Sequence, residues 1–344
     1  MINYHLPKGS NVRPLVIGCG SIGSRHIENL LGLGISSVVA FDVNAERCRA
    51  VESQFRIQVT HDLREAYATN PDVVLIATPT NLHLAQALEA AEHGCDFFVE
   101  KPLTDRWDSD VERLLRIVKE RGLVTMAGCN LRFHPGPAAI KRLIESSTLG
   151  RLLFLQLRGG SYLPDWHPWE DYRKTYSANA SMGGGCILDG IHFIDLARWL
   201  GGEVVSVAAV VGRVGDLEVD VEDIASITLV HEGKQHSEVH LDYLQRADTR
   251  GIQAVCSEGT SIWSWPQHEV RSQRAGEKRW AVESLPSGWD LNQMYVDEMR
   301  HFLECVAIRQ STCNPVSQAA RVSQIALAAK QCRQVDISVL KAFE

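Results

Sequence analysis

Short apolar runs alternate with amphipathic stretches through the first 130 residues of the chain. Leu15 to Ile17 and Val38 to Phe41 are such runs, and the residues after each of them repeat their apolar positions at helical spacing. The run from Asp72 to Ala77 is almost continuously apolar, which is typical of a parallel-sheet strand covered by helices on both faces. With further strands at 97–99 and 124–128, the pattern predicts an α/β fold with a doubly wound parallel sheet.

The second half of the chain contains strand-like runs that follow one another without helices between them. They begin at 152–157 and continue at 204–211, 224–230, 236–244, 251–256 and 261–265. Successive strands of this kind predict an antiparallel or mixed sheet. Residues 237–242 alternate polar with apolar side chains, so one face of that strand is expected to be polar or exposed, which suggests an oligomer contact. We expect a solvated turn at 271–279 and two closing helices at 292–307 and 315–331.

Composition and charge narrow the class of protein. A length of 344 residues suggests two domains, and 45% hydrophobic with 22% charged residues is ordinary for a globular chain. A net charge of -7 argues against nucleic acid or an anionic membrane as the main partner. The run Val204 to Val211 is too short to span a bilayer, and residues 1–13 do not resemble a signal peptide. Nine scattered cysteines without a Cys-x-x-Cys motif predict reduced thiols in a cytoplasmic protein, with no zinc site.

A glycine-rich turn directly follows the first strand. In such a turn one glycine allows the tight bend, one lets the backbone approach a pyrophosphate, and one lets the helix pack on the strand. The helix that follows presents free N–H groups and a positive dipole end to phosphates. The second strand closes at Asp42, which can accept hydrogen bonds from ribose hydroxyls. We assign to cofactor binding Gly18, Gly20, Ser21, Ile22, Gly23 and Asp42; the alternative is a turn in an α/β protein that binds no nucleotide.

Asp42 also bears on the choice of cofactor. No arginine follows it directly, and a carboxylate at this place repels a 2′-phosphate, so the sequence predicts NAD. Arg47 is a possible phosphate partner and keeps NADP as the alternative.

Polar residues also follow the fourth and fifth strands. Ligands of open α/β sheets bind outside the carboxyl ends of the strands, so these residues are candidates for cofactor contact. Lys101 comes directly after a buried strand and before Pro102, and the alternative for it is a surface lysine. For His83 a packed or solvated position at the start of a helix is at least as good an explanation. The cofactor contacts predicted here are Thr78, Pro79, Asn81, His83, Glu100 and Lys101.

Two further segments carry candidate substrate contacts. Asn130 and Arg132 follow the sixth strand, and a structural ion pair between domains is the alternative for Arg132. The irregular segment 162–169 is rich in tryptophan and proline, and its Trp166 and His167 can form an apolar wall against a sugar and read its hydroxyls. A loop folded over the core by its tryptophans is the equal alternative for this segment.

A predicted helix opens with three glycines at 183–185 and ends at a glycine pair. It carries two candidate acid–base residues. Asp189 and His192 are three residues apart, so both are expected on one helical face, while Asp195 points elsewhere and is expected to be structural. An Asp/His pair near an open glycine turn is a candidate acid–base site. No His, Cys or Asp cluster has the spacing of metal ligands, so no metal is predicted.

Taken in this order, the motifs resemble the Gfo/Idh/MocA oxidoreductase family, which includes glucose-fructose oxidoreductase and inositol dehydrogenase. The matching features are Gly18-x-Gly20-x-x-Gly23, Ala77-Thr78-Pro79, Glu100-Lys101-Pro102, Arg132-Phe133 and the helix with Asp189 and His192. The resemblance covers nearly the whole chain. It implies a Rossmann domain, an α/β domain with an open, mostly antiparallel sheet, and NAD(P)-dependent oxidation or reduction of a sugar or cyclitol hydroxyl.

The roles that the resemblance implies fall on three residues. His192 takes the hydroxyl proton, Lys101 stabilises the oxygen, and Asp189 orients His192 or binds a neighbouring hydroxyl. Many members place the acid four residues before the histidine, where this chain has Leu188, so Asp189 departs from that spacing.

We therefore predict a dehydrogenase that moves a hydride between nicotinamide and a carbon bearing a hydroxyl. Residues 1–130 would form the NAD(P)-binding Rossmann domain, and residues 131–344 would bind substrate and form a homodimer or homotetramer through the open sheet. The last helices would pack on the first domain. Two alternatives are a sugar or nucleotide sensor without turnover and an enzyme that uses the cofactor transiently for epimerisation or elimination.

Overall fold

The structure is a computed structural model that describes residues 12–332 of the chain. These residues form two compact units. The first unit holds the described residues up to Ala138 together with 181–183 and 285–323. The second unit holds 139–180, 184–284 and the described residues from Gln324 onward. Two of the unit boundaries fall inside the helices Pro135–Glu145 and Val316–Gln331.

A parallel sheet of six strands forms the first unit. Its strands are β1 (Pro14–Ile17), β2 (Val39–Phe41), β3 (Gln58–Thr60), β4 (Val73–Ile76), β5 (Asp96–Glu100) and β6 (Thr125–Gly128). They lie in the order β3-β2-β1-β4-β5-β6, which places β1 and β4 at the centre. This confirms the predicted doubly wound parallel sheet.

The helices are likewise numbered along the chain. In the first half they are α1 (Ser21–Gly32), α2 (Ala45–Phe55), α3 (Leu63–Ala68), α4 (Thr80–Glu92), α5 (Ser109–Arg121) and α6 (Pro135–Glu145). In the second half they are α7 (Cys186–Asp189), α8 (Ile191–Gly201), α9 (Asn292–Ile308) and α10 (Val316–Gln331). Helix α9 and the start of α10 belong to the first unit.

The central strands of the parallel sheet are apolar on both faces because each face meets its own core. Leu15 and Ile17 of β1 point into one cluster, which also contains Val316 of α10. Val16 of the same strand points into the other cluster, which contains Phe302 of α9. Since no position of these strands reaches water, polar–apolar alternation is missing from their sequence.

The second unit contains a sheet of eight strands. They are β7 (Leu152–Gly160), β8 (Val204–Gly212), β9 (Ile224–His231), β10 (His236–Asp242), β11 (Thr249–Cys256), β12 (Gly259–Trp265), β13 (Glu269–Arg274) and β14 (Ala281–Ser284). Their order is β14-β13-β12-β11-β7-β10-β9-β8, with β7 and β10 parallel and the other neighbours antiparallel. The predicted mostly antiparallel sheet is confirmed.

The two faces of this sheet differ in exposure. Leu155, Val239 and Ile227 alternate with exposed neighbours along their strands and are buried. Helix α8 packs against β7 and β10, and a Cβ at Gly159 would lie 2.1 Å from the ring of Phe193. The opposite face is polar; we call it the open face and define it by Gln156, Ala208, Thr228 and Glu238, which are all exposed.

Two predictions about local structure are wrong. Part of the segment 271–279 that was expected to be a solvated turn belongs to β13, because Arg271 and Ser272 pair with residues of β12 and β14. The single helix expected to carry Asp189 and His192 is interrupted at Gly190, so Asp189 ends α7 and His192 lies in the first turn of α8. Among residues 12–332, no helix is long and apolar enough to cross a membrane.

Candidate active site

The glycine turn after β1 has no room for side chains where it contacts the next strand. Gly18 has φ +104°, and a Cβ there would lie 2.5 Å from the carbonyl oxygen of Ala77. A Cβ at Gly23 would lie 1.8 Å from the carbonyl oxygen of Gly18, whereas one at Gly20 would meet nothing within 4 Å. Helix α1 begins directly after Gly20, with Ser21 and Ile22 in its first turn. The turn therefore fits a dinucleotide, with close packing behind it and open space at the helix N-terminus.

Asp42 lies at the end of β2 and is tied to this turn. Its carboxylate accepts hydrogen bonds from the backbone N–H of Cys19 and of Asn44, both at 2.8 Å. Arg47 lies 3.9 Å from the carboxylate, and its side chain is more than half exposed. Asp42 thus holds the glycine turn in place.

The segment after β4 is held by α4. The hydroxyl of Thr78 donates to Oε1 of Gln86 at 2.6 Å, and Pro79 directly precedes the helix. Oδ1 of Asn81 is buried and has no hydrogen-bond partner among the described residues, which leaves it able to accept from a ligand. His83 is buried, and both of its ring nitrogens contact backbone carbonyl groups. Both ring nitrogens of His83 are thus engaged by backbone groups of the protein.

Glu100 and Lys101 occupy the end of β5. Glu100 is buried and pairs with His26 of α1, with 2.7 Å between Oε1 and Nε2. Its other oxygen accepts from the backbone N–H of Lys101 at 3.3 Å. Burial raises the pKa of Glu100, but the hydrogen bond and charge of His26 outweigh this and bring the pKa below its ordinary value. Glu100 is therefore an anionic anchor for the backbone that carries Lys101.

Asn130 and Arg132 lie in a short 3₁₀ helix, Asn130–Phe133, after β6. Both side chains are buried. Arg132 donates to the carbonyl oxygen of Cys313 at 2.7 Å, and both residues belong to the first unit. The structure therefore gives Arg132 a structural contact within its own unit.

Asp189 is the centre of a hydrogen-bonded group in the second unit. Its two carboxylate oxygens accept from the hydroxyls of Tyr176 at 2.6 Å and Tyr243 at 2.8 Å. Tyr243 is 1% exposed, and burial together with the charge of Asp189 raises its pKa well above the ordinary value. The two hydroxyls fix the orientation of the Asp189 carboxylate.

Trp166 joins this group from the segment 162–169. Its indole N–H donates to Ser161 at 2.6 Å, and its ring meets that of Tyr243 edge to face at 5.4 Å. The neighbouring His167 is exposed and lies against Trp169, with 5.4 Å between the ring centroids. Trp166, but not His167, is thus linked to Asp189 through a described contact.

The glycine turn that opens α7 is fixed by an ion pair. Lys330 of α10 lies 3.1 Å from the carboxylate of Glu222 and donates to the carbonyl oxygen of Gly184 at 3.2 Å. A Cβ at Gly185 would lie 2.3 Å from the carboxylate of Glu222, so the turn passes directly over this group. The pair holds the start of the segment that leads to Asp189 and the half-buried His192.

Sequence reasoning missed several of these partners. His26, Tyr243 and Lys330 lie in ordinary helical or strand-like patterns, Tyr176 and Glu222 lie outside the predicted elements, and no motif distinguishes any of them. Their partners are 13 to 146 residues away along the chain, so only the folded structure brings them together. Within residues 12–332, no three His, Cys, Asp or Glu side chains are grouped so that they could hold a metal ion.

Comparison with known proteins identifies the family of the chain. The model of an oxidoreductase family with an NAD-binding Rossmann fold, GFO/IDH/MocA, matches residues 12–129. The model of the GFO/IDH/MocA C-terminal domain matches residues 138–262. The two matches lie in the order that the resemblance predicted.

Individual proteins agree with these matches. An uncharacterised oxidoreductase, YrbE of Bacillus subtilis, is 26% identical over 333 residues, which are 92% of this chain and 92% of that protein. Myo-inositol 2-dehydrogenase of Thermotoga maritima is 29% identical over 221 residues, which are 60% of this chain and 62% of that enzyme. A solved structure of levoglucosan dehydrogenase in complex with NADH has a TM-score of 0.84 at 22% identity and covers 94% of this chain and 96% of that one.

The first unit thus has the glycine turn, the acidic strand end and the helix N-terminus of an NAD-binding Rossmann domain, as predicted. The second unit contains the matched C-terminal domain and the Asp189 group. The chain belongs to the Gfo/Idh/MocA family of NAD-binding oxidoreductases.

Proposed function

We propose that this oxidoreductase is an NAD-dependent dehydrogenase that acts on a ring hydroxyl of a sugar, sugar derivative or cyclitol. The observation that carries the proposal is the position of Lys101 at the end of β5 in the unit that also contains the glycine turn. Strand β5 pairs with β4, and Ala77, which directly follows β4, lies against Gly18 of that turn. The names of the relatives, an inositol and a levoglucosan dehydrogenase, support the substrate class.

The bound cofactor supplies the acceptor or donor of the hydride. The protein's own part is the handling of the hydroxyl oxygen and its proton. The Lys101 ammonium would stabilise the negative charge that develops on this oxygen as the proton leaves. Glu100 supports this role because it is a buried anion that holds the backbone N–H of Lys101.

His192 would act as the base that receives the hydroxyl proton and returns it in the reverse reaction. Asp189 would bind a neighbouring hydroxyl of the substrate or orient the base. Its two tyrosine donors fix the carboxylate in position. Trp166 would provide the apolar wall of the substrate site, since its ring already packs on Tyr243.

The assignment of individual contacts follows from the same geometry. We propose that Gly18, Gly20, Ser21, Ile22, Gly23, Asp42, Thr78, Pro79 and Asn81 contact the cofactor. Residues up to about 130 would bind it, and the following domain would bind the substrate. We also propose a cytoplasmic homodimer or homotetramer that associates through the open face, because this face remains exposed along several neighbouring strands.

A substrate panel tests the proposed function. The purified protein is mixed with NAD or NADP and a series of sugars, sugar acids and cyclitols, and the reduction of nicotinamide is followed by its absorbance. We expect turnover with at least one ring alcohol and a kcat at least about a hundredfold lower in the Lys101→Met variant. Tight cofactor binding without turnover on any compound would instead favour a sensor. Product epimers without net reduction of the cofactor would favour an epimerase.

A further inference from the structure

A buried histidine lies in the second turn of helix α1, just beyond the glycine turn. His26 is 0% exposed, and its Nε2 lies 2.7 Å from Oε1 of Glu100 at the end of β5. An ionised carboxylate only accepts hydrogen bonds, so the ring donates through Nε2. The other ring nitrogen, Nδ1, is buried and has no hydrogen-bond partner among residues 12–332. The polar contact that the described residues give this ring is therefore the one with Glu100.

Packing alone does not explain a histidine at this position. The ring of Phe98 meets that of His26 edge to face, with 5.2 Å between the centroids, and the ring of Tyr295 does so at 6.4 Å. An apolar aromatic side chain could make the same contacts. A buried nitrogen atom without a partner costs stability, so these contacts by themselves would favour a ring without polar atoms. The hydrogen bond to Glu100 is what the histidine adds.

The carboxylate of Glu100 connects this ring to the backbone of Lys101. Its Oε1 accepts from His26, and its Oε2 accepts from the backbone N–H of Lys101 at 3.3 Å. The carboxylate lies against Gly128 of β6, where a Cβ would be 3.1 Å from Oε2. Both oxygens of Glu100 thus contact protein groups, and the neighbouring strand leaves the carboxylate little room to move.

The pair joins two elements that matter for the proposed chemistry. Helix α1 begins at Ser21, directly after the glycine turn, and β5 ends at Glu100, directly before Lys101. Apolar contacts between a helix and a sheet have no preferred direction, whereas a hydrogen bond of 2.7 Å fixes one point of the helix against one point of the strand. A displacement of about 1 Å at a reacting group can lower a rate by about 10²-fold, so such a fixed point can matter for turnover.

We propose that His26 is a positioning residue whose hydrogen bond to Glu100 fixes the end of β5 on the cofactor helix and thereby places Lys101 relative to the glycine turn. The effect on turnover rests on the proposed role of Lys101. The dependence of the Lys101 backbone on His26 does not rest on it, because the two hydrogen bonds form within the protein itself.

The first test measures the backbone of Lys101 without turnover. The full-length protein is labelled with ¹⁵N in its lysines, and the Lys101 amide signal is identified by its loss in Lys101→Met. His26→Phe keeps the aromatic ring but removes the donor, whereas His26→Gln retains an amide donor. We expect the Lys101 amide to exchange with deuterium at least about tenfold faster in His26→Phe and at nearly the unmodified rate in His26→Gln.

The amide of Lys119 in α5 is the internal reference for this measurement and should exchange at one rate in all three proteins. Equal exchange of the Lys101 amide in the three proteins would overturn the proposal, whatever the enzyme's activity. Exchange that accelerates equally at Lys119 and Lys101 in His26→Phe would also overturn it, because the whole unit would then have been loosened.

The second test separates positioning from stability and from cofactor binding. His231 of the second unit is 1% exposed, and its ring nitrogens contact Gly202 and Ser237, so His231→Phe repeats the loss of a buried histidine in the other unit. We expect kcat to fall at least about tenfold in His26→Phe, less in His26→Gln and not in His231→Phe. The KM of the substrate and the Kd of NADH should stay within about threefold throughout.

A double-variant cycle tests whether His26 and Glu100 act as one unit. If they do, His26→Phe combined with Glu100→Gln should lose about as much kcat as the more affected single variant. Losses that multiply would overturn the coupling. An unchanged kcat in folded His26→Phe would overturn the positioning role, and so would a loss of NADH affinity as large as the loss of kcat.

The two tests remain separable from the proposed function. Should His26→Phe fail to fold, His26→Leu takes its place in both measurements. If Lys101→Met retains turnover, the proposed function fails, and the exchange rate of the Lys101 amide in the His26 variants then decides this inference by itself.

Discussion

Lys101 is the residue on which the proposed chemistry depends most. We expect Lys101→Met to lower kcat at least about a hundredfold, comparable to the loss of one preorganised oxyanion donor, because the charge on the oxygen is largest in the transition state. The methionine keeps much of the apolar stem, so the fold should survive. The Kd of NADH should change little, because the glycine turn lies at the end of another strand.

Lys119→Met, a change in the last turn of α5, is the matched control and should behave like the unmodified enzyme. Turnover that survives in Lys101→Met would exclude the catalytic role. Loss of NADH binding together with turnover would make Lys101 a cofactor or structural residue.

His192 is the second residue with a testable role. We expect His192→Ala to lower kcat by roughly 10² to 10⁴, the range for a positioned acid–base group, and to leave NADH affinity close to normal. His236→Ala removes an exposed histidine at the start of β10 and serves as the control. Near-normal turnover of His192→Ala on the true substrate would place the base elsewhere.

The sequence allowed the prediction of these groups but not of their partners. Lys101 follows a buried strand and precedes a proline, and this local pattern is enough to place it at a strand end. The donors to Asp189 come from Tyr176 and Tyr243, which lie 13 and 54 residues away along the chain. Such pairs depend on which strands become neighbours, and a single sequence does not encode that in any local pattern.

The segment from β1 through α1 to β2 is expected to determine the choice of cofactor. Asp42 at the end of β2 should repel a 2′-phosphate, so we expect the Kd of NADH to be at least about tenfold lower than that of NADPH. Asp42→Ser should reduce the difference between the Kd of NADH and the Kd of NADPH. It should also weaken NADH binding, because the carboxylate holds the N–H of Cys19 in the glycine turn.

Arg47→Ala is the companion variant for this measurement. Arg47 lies 3.9 Å from Asp42 and would contribute to any affinity for NADPH. Removal of its side chain should therefore increase the preference for NADH over NADPH. Fluorescence titration of the unmodified protein and both variants with NADH and NADPH gives the dissociation constants to be compared. Tighter NADPH binding by the unmodified protein would contradict the assignment.

At the level of elements, periodicity predicted strands and helices correctly where the burial of the faces alone determines the pattern of apolar residues. The strand β4 is apolar throughout because both of its faces are covered, and its continuous pattern gave the right element. The segment from Gly183 to Gly201 was predicted as one helix because its apolar positions continue across Gly190. The structure interrupts it at Gly190, where a Cβ would lie 2.8 Å from the side chain of Leu241 in β10, so this close approach requires a residue without a side chain.

At the scale of the whole molecule, the eight-stranded sheet matters for association of subunits, because its open face is large enough for an interface. Neighbouring strands lie about 4.8 Å apart and rise about 3.3 Å per residue, so the sheet presents roughly 800 Å², close to the area that each partner of a stable complex buries. Thr228 lies on this face in β9, next to the edge strand β8, and is paired with Glu238 on one side and Ala208 on the other.

We therefore expect an oligomer in solution that Thr228→Arg dissociates, because the substitution introduces a charge and a long side chain into the contact on each subunit. Glu112→Arg, in the exposed part of α5, should leave the assembly intact. Analytical ultracentrifugation measures the mass of each variant. A monomeric unmodified protein, or an oligomer unaffected by Thr228→Arg, would rule out association through this face.

The sequence alone determined the two architectures and the strand end that Lys101 follows. Glycine spacing, strand periodicity and the polar residues at strand ends are local properties, and backbone geometry restricts what each can form. These properties were sufficient to predict the parallel sheet, the cofactor turn and the position of Lys101.

Only the tertiary structure decided which buried polar groups satisfy one another. His26 meets Glu100 across 74 residues, and His83 joins the backbone of Thr78 to that of Pro102. A buried polar atom is tolerated only when it finds a partner, and that partner is fixed by strand order, helix packing and burial. These properties arise only when the whole chain has folded, so the supports around Lys101 and Asp189 could not be deduced from the sequence.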